Sequence, residues 1–186
     1  MMRPTIAGYT FALRKVGTAM SSSDTSSSRA TAGGQRVTSV AELRAWVGQV
    51  VGVSAWHTVT QAQVNLFADA TDDHQYIHID PERAKETFFG GTVAHGYLTL
   101  SLGLPDDPAQ SLKLDLPGTM WVNYGLNRVR FPAPVRVGAR IRDVSTLLTV
   151  EEIGTQALQL VHQRVVEIEG GEKPALVAET IARLYY

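Results

Sequence analysis

The chain has 186 residues, of which 44% are hydrophobic and 19% charged, so it can bury one good core but is short for two domains. Its 17 basic and 18 acidic residues give a formal net charge of -1, which favours neither nucleic acid nor a membrane surface as a partner. The chain has no cysteine, which excludes disulfides, thiolate nucleophiles and sulfur-ligated zinc and fits a reducing compartment such as the cytoplasm.

The first 35 residues differ from the rest. Three basic residues surround a weakly apolar piece, and Ser, Thr, Ala and Gly dominate residues 18–34. Such a segment cannot bury a core, and a secretory signal needs a longer apolar stretch, so we expect a disordered leader or a start codon assigned too early, with Met20 as a possible start. No apolar run approaches the roughly 18 to 20 residues of a membrane span. The sequence therefore predicts one soluble domain over residues 36–186.

The domain is predicted to begin with a short helix and a strand. Ser39 followed by Glu42 has the pattern of a capping box, in which the two side chains bond free amides at a helix start. Apolar residues then repeat at helical spacing until Gly48. Residues 50–59 are rich in β-branched side chains and predict a strand or an extended lead-in.

Two more helix starts follow. Thr60 and Gln63 form a second capping box, which opens a helix expected to fray near residues 70–73, where Asp and Thr accumulate. Asp80 and Pro81 open a short third helix, because Asp accepts amide hydrogen bonds and proline fits the first helical position. The most apolar helical candidate is residues 93–104, which carries four leucines and is expected to be surrounded by protein.

The second half of the chain reads as strands separated by turn residues. The apolar positions of the first strand change parity, which predicts a bulge near residues 125–128. Helices first and strands last favour an α+β domain, in which an antiparallel β-sheet wraps around a long central α-helix. The four predicted strands are residues 119–131, 139–153, 157–168 and 175–186.

The densest cluster of reactive side chains lies at the end of the second helix, where three Asp and two His fall within ten residues. Asp and His close in space make a competent acid/base pair, because imidazole titrates near neutral pH and a carboxylate can orient it or a shared water. The residue types alone favour a plainer interpretation, in which the Asp residues stop a helix and the His residues are solvated. The five residues are Asp69, Asp72, Asp73, His74 and His78.

Three separated blocks, residues 67–84, 93–98 and 124–138, resemble the MaoC-like (R)-specific enoyl-CoA hydratases, in the same order. The first is similar to their hydratase-2 motif, which runs from an aromatic residue through Gly-Asp-x-Asn-Pro-aliphatic-His to a small residue. The second is similar to the start of their central helix, Val93-Ala-His-Gly96, and the third to the next strand and turn. The aromatic, Asp, His and small-residue positions of the motif are occupied by Phe67, Asp73, His78 and Ala84.

The chain departs from this motif at three positions. Asp72 stands where the family usually has Gly, and Gln75 and Tyr76 stand where it usually has Asn and Pro. The motif's Asp and His are intact, which leaves the acid/base pair in place. The missing proline is expected to loosen the loop, and Asp72 adds a carboxylate beside Asp73.

The resemblance implies a hot-dog fold, usually a homodimer whose two sheets join edge to edge. It implies that Asp73 and His78 hold one water and act as base and acid on one face of a trans-2-enoyl thioester, giving the (R)-3-hydroxyacyl product. The thioester is carried by coenzyme A or acyl carrier protein, as in fatty acid metabolism, and no metal or redox cofactor is needed. The reaction is reversible, so hydration and dehydration are both open.

The site needs a hydrogen-bond donor for the thioester oxygen, where negative charge collects. The Gly96 amide is the candidate, because a helix start leaves its N–H free and glycine allows close approach; the alternative is a packing glycine. Arg128 and Arg130 are candidates for the phosphates of coenzyme A, although alternate positions also fit a strand's solvent face. We leave His95 outside the site, as a capping or packing residue, and expect Thr99 to bond a backbone carbonyl.

Two alternatives remain open. A hot-dog thioesterase would also use an acid and an oxyanion-binding helix start, but the five-residue step from Asp73 to His78 speaks against it. A non-catalytic acyl-thioester-binding subunit is supported only by the departures at Asp72, Gln75 and Tyr76.

Overall fold

The fold is that of a computed structural model, which describes residues 32–116, 120–155 and 157–185. The predicted leader, as far as residue 31, lies outside the described residues. The described chain begins at Ala32, which is buried in a core cluster, and the Gly34 amide donates to the Pro108 carbonyl at 3.2 Å. Residues 32–35, assigned to the leader by the sequence, therefore pack against the domain.

The helices are short, and the longest follows the second capping box. The Thr60 side chain accepts from the Gln63 amide while the Gln63 side chain accepts from the Thr60 amide, as predicted. Ser39 caps the first helix in the same way, but the Glu42 carboxylate accepts the amide of Thr38 instead. The helices are α1 (Val40–Arg44), α2 (Gln61–Thr71), α3 (Tyr76–Ile79), α4 (Pro81–Lys85) and α5 (Gly96–Ser101).

The helix predicted over residues 93–104 is shorter than expected, because both of its ends are held in other ways. At the start, the Ala94 amide donates to the Val135 carbonyl at 2.8 Å, which keeps the chain extended as far as His95. The long central helix of the prediction is therefore the six-residue α5.

Arg164 fixes the other end of α5. Its guanidinium donates to the carbonyl oxygens of Leu100 at 3.1 Å and Leu102 at 3.5 Å, and Leu102 is already extended. The same guanidinium is paired with Asp143 at 2.6 Å, so the helix end is tied to the sheet.

One six-stranded sheet forms the rest of the domain, in the order β2-β6-β7-β8-β5, with β3 also paired to β6. Every pair in it is antiparallel, and β1 and β4 form a separate parallel pair. The four predicted strands are confirmed to within a residue or two at each end. The strands are β1 (Arg36–Val37), β2 (Val50–Val53), β3 (His57–Thr58), β4 (Lys113–Leu114), β5 (Met120–Arg130), β6 (Arg140–Ile153), β7 (Ala157–Ile168) and β8 (Leu176–Tyr185).

The predicted bulge in β5 is confirmed. The register of β5 against β8 shifts between Asn123 and Gly125, and again between Leu126 and Arg128. Each shift changes which side chains of the strand share a face, and this accounts for the change of parity in the sequence.

The sheet packs against α5 and α2 through one core cluster. Leu98 of α5 and Val64 of α2 are buried together with Ile141, Val166 and Leu176 of the strands. This is the α+β arrangement expected, with the helices on one face of an antiparallel sheet. None of the helices among the described residues is long and apolar enough to span a membrane.

Candidate active site

The loop after α2 begins with a residue in the left-handed conformation. Asp72 ends the helix with φ 59°, and it is the one residue other than glycine with a positive φ in the described ranges. Glycine adopts this conformation without a Cβ penalty, which explains why the motif usually has Gly here. Asp72 keeps the turn, and Asp73 follows it directly.

His78 is held in one orientation by α3. The ring is buried, and its Nδ1 lies 2.7 Å from the Val93 carbonyl oxygen, so Nδ1–H donates to that oxygen. The neutral ring then carries its lone pair on Nε2. Burial lowers the pKa of His78, the bond to Val93 offsets part of this effect, and nearby His95 lowers the pKa further while Asp73 raises it. The group is therefore neutral at pH 7.

His95 lies against both members of the predicted pair, which the sequence interpretation missed. Its ring stacks on His78 with centroids 3.7 Å apart, and its Nε2 donates to the main-chain oxygen of Asp73 at 3.0 Å. The side chain makes no helix cap, so of the two predicted roles packing is right and capping is wrong. The sequence marked this position only as part of the block Val93-Ala-His-Gly96, and its contacts were not apparent because the contacted residues lie 17 and 22 positions away.

Asp73, His78 and His95 form one cluster. One polar side-chain atom from each lies within 4.8 Å of the other two, and the Asp73 side chain is 54% exposed while that of His95 is 4% exposed. Asp and His at this spacing could also ligate a metal ion such as zinc. Each ring directs one nitrogen to a main-chain carbonyl, which fixes its orientation, as an acid/base group or a metal ligand requires.

Other members of the predicted reactive cluster stay on the surface. His74 Nε2 bonds the Asp69 carboxylate at 2.9 Å, and its Nδ1 lies 3.6 Å from the fully exposed Asp72 carboxylate. Hydrogen bonding to Asp69 raises the pKa of His74. For these three residues the plainer interpretation, a solvated helix end, is right.

Gly96 is the first residue of α5 and follows His95 directly. Its position leaves the amide without an acceptor in its own helix. A Cβ built at Gly96 would lie 3.1 Å from the ring of Phe131, so the residue is also packed tightly. Both sequence interpretations of this glycine, substrate contact and packing, are compatible with the geometry.

The remaining predicted residues are Arg128, Arg130 and Thr99. Arg128 and Arg130 are exposed on β5, and Arg130 donates to the Val129 carbonyl at 2.7 Å. Thr99 donates to the His95 carbonyl at 3.4 Å, as expected. Binding of phosphate by the two arginines remains a prediction.

A second polar region lies at the other end of α5, beyond Arg164, and the sequence interpretation did not identify it. It is a cavity of about 410 Å³, and its lining includes several leucines as well as Asp106, Asp143 and His162. Burial raises the pKa of both carboxyl groups and lowers the pKa of His162 to about 4, with Arg164 adding to the effect on His162. The signal was present, because Asp143 and His162 alternate in phase with Ile141 and Leu160, which are buried side chains of the same strands.

Comparison with known proteins decides the family. Residues 42–169, well over half of the chain, match the family model described as MaoC like domain. The chain belongs to the MaoC-like dehydratase family. A MaoC-like relative named 3-hydroxyacyl-thioester dehydratase Z, from Mycobacterium tuberculosis, is 53% identical over 78% of this chain and 95% of its own length.

Two further matches cover most of the chain. Nodulation protein N of Rhizobium leguminosarum bv. viciae is 44% identical over 80% of this chain and 92% of that protein. The solved structure described as a monoamine oxidase regulatory protein of Archaeoglobus fulgius has a TM-score of 0.65 and 25% identity, over 82% of this chain and 97% of that one. The expected hot-dog fold is thereby confirmed, and the family is one of dehydratases and hydratases.

Proposed function

We propose that the protein is an (R)-specific enoyl-thioester hydratase, which in the reverse direction is a 3-hydroxyacyl-thioester dehydratase. The observation that carries the proposal is the meeting of Asp73 and His78, with polar atoms within 4.8 Å at a point that solvent reaches beside Asp73. The substrate class is supported by the name of the Mycobacterium tuberculosis relative, which is a thioester dehydratase. We expect no metal or redox cofactor, and a cytoplasmic location remains a prediction.

The proton transfers follow from the orientation of His78. Because Nδ1 donates to Val93, Nε2 is free to accept a proton from a water that the Asp73 carboxylate also holds. The water oxygen bonds to C3 as the C2=C3 π bond breaks, and the electron pair moves to the thioester oxygen. The proton on His78 then passes to C2 as the enolate collapses. Both additions occur on the same face, which gives syn hydration.

Gly96 is the proposed donor to the thioester oxygen. Its amide is the first of α5, next to His95 in the cluster, and has no acceptor within the helix. An amide directed at a developing oxyanion typically accelerates acyl chemistry by about 100- to 1000-fold. Arg128 and Arg130 are proposed to meet the phosphates of coenzyme A, or the phosphopantetheine of a carrier protein, at the open side of β5.

A crotonyl-CoA assay tests the proposed function. The purified protein is expected to bleach the conjugated-enoyl absorbance without releasing free thiol. Thiol release would instead identify a thioesterase. If neither signal changes, and longer enoyl-CoA chains are also inert, the remaining alternative is an acyl-binding subunit without turnover.

Substitution separates the proposed pair from its surroundings. Asp73→Asn and His78→Gln are each expected to lower kcat by about 100- to 10,000-fold, because the first variant loses the carboxylate that holds the water and the second loses the group that carries the proton. Asp69→Asn is the matched control. Asp69 lies in the last turn of α2, near Asp73 in the sequence, but its carboxylate bonds His74 and is not part of the cluster. Normal kcat in the Asp73 variant would exclude it from the chemistry.

The Gly96 amide can be removed without breaking the helix. Proline is favoured at the first helical position, and His95 has φ -58° and ψ 139°, which suits a residue before proline. Gly96→Pro is expected to lower kcat by about 100-fold or more relative to Gly96→Ala, which makes the same contact with Phe131 but keeps the N–H. Equal activity in the two variants would exclude the amide.

We also propose that the chain is a homodimer joined through β5. This strand ends the sheet, and among the described residues its second edge is unpaired. Side chains on both of its faces are exposed, including Met120, Trp121, Tyr124 and Leu126. A long apolar edge strand on a soluble protein needs a cover, and a second copy provides one with matching pairing.

A further inference from the structure

We propose that His95 is a positioning residue, which holds the Asp73 main chain and the His78 ring in the arrangement that the reaction needs. The inference rests on the proposed hydratase function and adds to it a residue that the Asp/His pair depends on. His95 contacts both partners directly, although the three residues belong to different elements: the loop after α2, helix α3 and the start of α5.

The first contact anchors the Asp73 loop. His95 Nε2–H donates to the Asp73 carbonyl at 3.0 Å, and Nε2 also lies 3.9 Å from the Asp73 carboxylate. Within the described residues, the hydrogen bond that the Asp73 carboxylate accepts comes from the Gln75 amide, at a long 3.5 Å. The next helix also lacks a side-chain cap at Gln75. His95 is therefore the strongest tie between this loop and the buried part of the domain.

The second contact fixes the plane of the His78 ring. The His95 ring stacks on it at 26°, and on another side it packs against Phe67, with centroids 5.0 Å apart. The bond from His78 Nδ1 to Val93 restrains that ring about only one direction. A stacked neighbour restrains the tilt as well, which keeps Nε2 directed at the water shared with Asp73.

The burial of His95 has an energetic cost that packing does not explain. Its Nδ1 is buried and has no hydrogen-bond partner among the residues described. A buried, unpaired polar atom destabilises the folded state, and an apolar ring of similar size would avoid that cost. Residues kept for function show this combination of an unfavourable burial and a precise contact.

Two variants divide the roles of His95. His95→Phe keeps an aromatic ring against His78 and removes the hydrogen bond to Asp73. His95→Gln keeps an amide N–H near the position of Nε2 and removes the stacked ring. His57→Phe is the matched control. His57 is a partly buried residue of β3 that bonds Gln63 of α2 and lies outside the cluster.

The expected result is a selective loss in turnover. With the enoyl thioester that the wild type hydrates, His95→Phe is expected to lower kcat by about 10- to 100-fold, with KM changed less than about threefold, since misplacement of reacting groups costs rate before affinity. Its thermal midpoint is expected to equal or exceed that of the wild type. The kcat of His95→Gln is expected to lie between that of the wild type and that of His95→Phe. His57→Phe is expected to keep the wild-type kcat.

A pH profile and NMR titration provide a readout that a purely structural residue would not change. The groups facing His78 are Asp73, His95 and the Val93 carbonyl, and His95 lowers the pKa of His78. In both His95 variants the pKa of His78 is expected to rise, which moves the acidic limb of kcat/KM to higher pH. Labelled imidazole signals report this pKa without any turnover.

The outcomes separate the two proposals. If the wild type is active and both His95 variants keep its kcat and its pH profile, the positioning role is wrong. If His95→Phe does not fold, His95→Gln decides by the same criteria. If the wild type hydrates no thioester, the proposed function is wrong, and the NMR titration alone then decides whether His95 sets the state of His78: an unchanged His78 pKa in the variants would overturn that as well.

Discussion

Asp72 turns the chain out of α2 in a conformation that costs a residue with a Cβ about 1–2 kcal/mol, although Asp tolerates it better than most. Its carboxylate is fully exposed and its contact with His74 is long, so little stability is gained in return. The backbone conformation explains this departure from the motif. Glycine adopts a positive φ most readily, and Asp is one of the few other residues that tolerate it.

We predict that Asp72→Gly raises the free energy of unfolding by about 0.5–1 kcal/mol, because glycine adopts a positive φ freely but also gains entropy in the unfolded chain. Urea unfolding measures the change. Ala70→Gly, two residues earlier and within α2, should lower the same quantity by about 1 kcal/mol. Two changes of the same sign would show that the left-handed turn is not strained.

The sequence predicted that Asp73 and His78 lie close together but not that His95 contacts both, for reasons of distance along the chain. Asp73 and His78 are five residues apart on a helix-loop-helix segment, so their meeting is nearly a local property, and Gly96 follows from its place at a helix start. The stacking of His95 on His78 depends on how α5 docks against α3, which no local pattern records. The bond that orients His78 depends in the same way on Val93.

At the scale of elements, local signals fixed the strands and the helix starts. Capping residues and alternating apolar positions act over a few neighbours, so Thr60 and the bulge in β5 were visible in the sequence. The length of α5 was not, because Val135 and Arg164 set its ends from elements that come later in the chain. The four leucines of this segment predicted its packing correctly, since Leu98 is buried and the other three are partly buried against the core, but they predicted the helix length wrongly.

The burial of His162 on strand β7 predicts how the free energy of unfolding changes at acidic pH. The strand carries His162 into the cavity, where burial lowers the pKa to about 4 from an ordinary 6.5. Between these values the unfolded chain binds a proton that the folded chain does not, so stability is lost as pH falls from 6.5 to 4, by up to about 3 kcal/mol. Asp106 and Asp143 face the same cavity with raised pKa values, and their protonation offsets part of the loss.

His162→Phe is therefore expected to lose less stability than the wild type between pH 7 and pH 4.5, as measured by urea unfolding at each pH. His57→Phe is the control, because His57 lies in β3 and does not line this cavity. The same pH slope in the wild type and the His162 variant would show that this ring is not kept neutral by burial.

At the scale of the whole molecule, the sheet is finished on one side and open on the other. β2 and β3 are short strands covered by neighbouring segments, whereas the 11-residue β5 presents apolar side chains on both faces. This exposure supports the proposed partner of β5, a second copy of the chain.

We predict a particle of twice the chain mass in sedimentation equilibrium. Leu126→Lys, which places a charge on the exposed edge in both copies, should shift the equilibrium to the monomer. Leu66→Lys is the control, because Leu66 is also exposed, at 69% against 48% for Leu126, but lies on α2. A monomeric wild type, or a dimer unaffected by the Leu126 variant, would rule out assembly through β5.

An open β5 would also make the folded population depend on how much of the chain is present. If apolar side chains such as Trp121 are shielded only on association, mass action contributes to stability, and the melting temperature rises with protein concentration. Dilution would then weaken the tertiary structure and the reaction together. In the cell, a twofold rise in the concentration of the chain would then raise the activity by more than twofold, because the folded fraction rises as well.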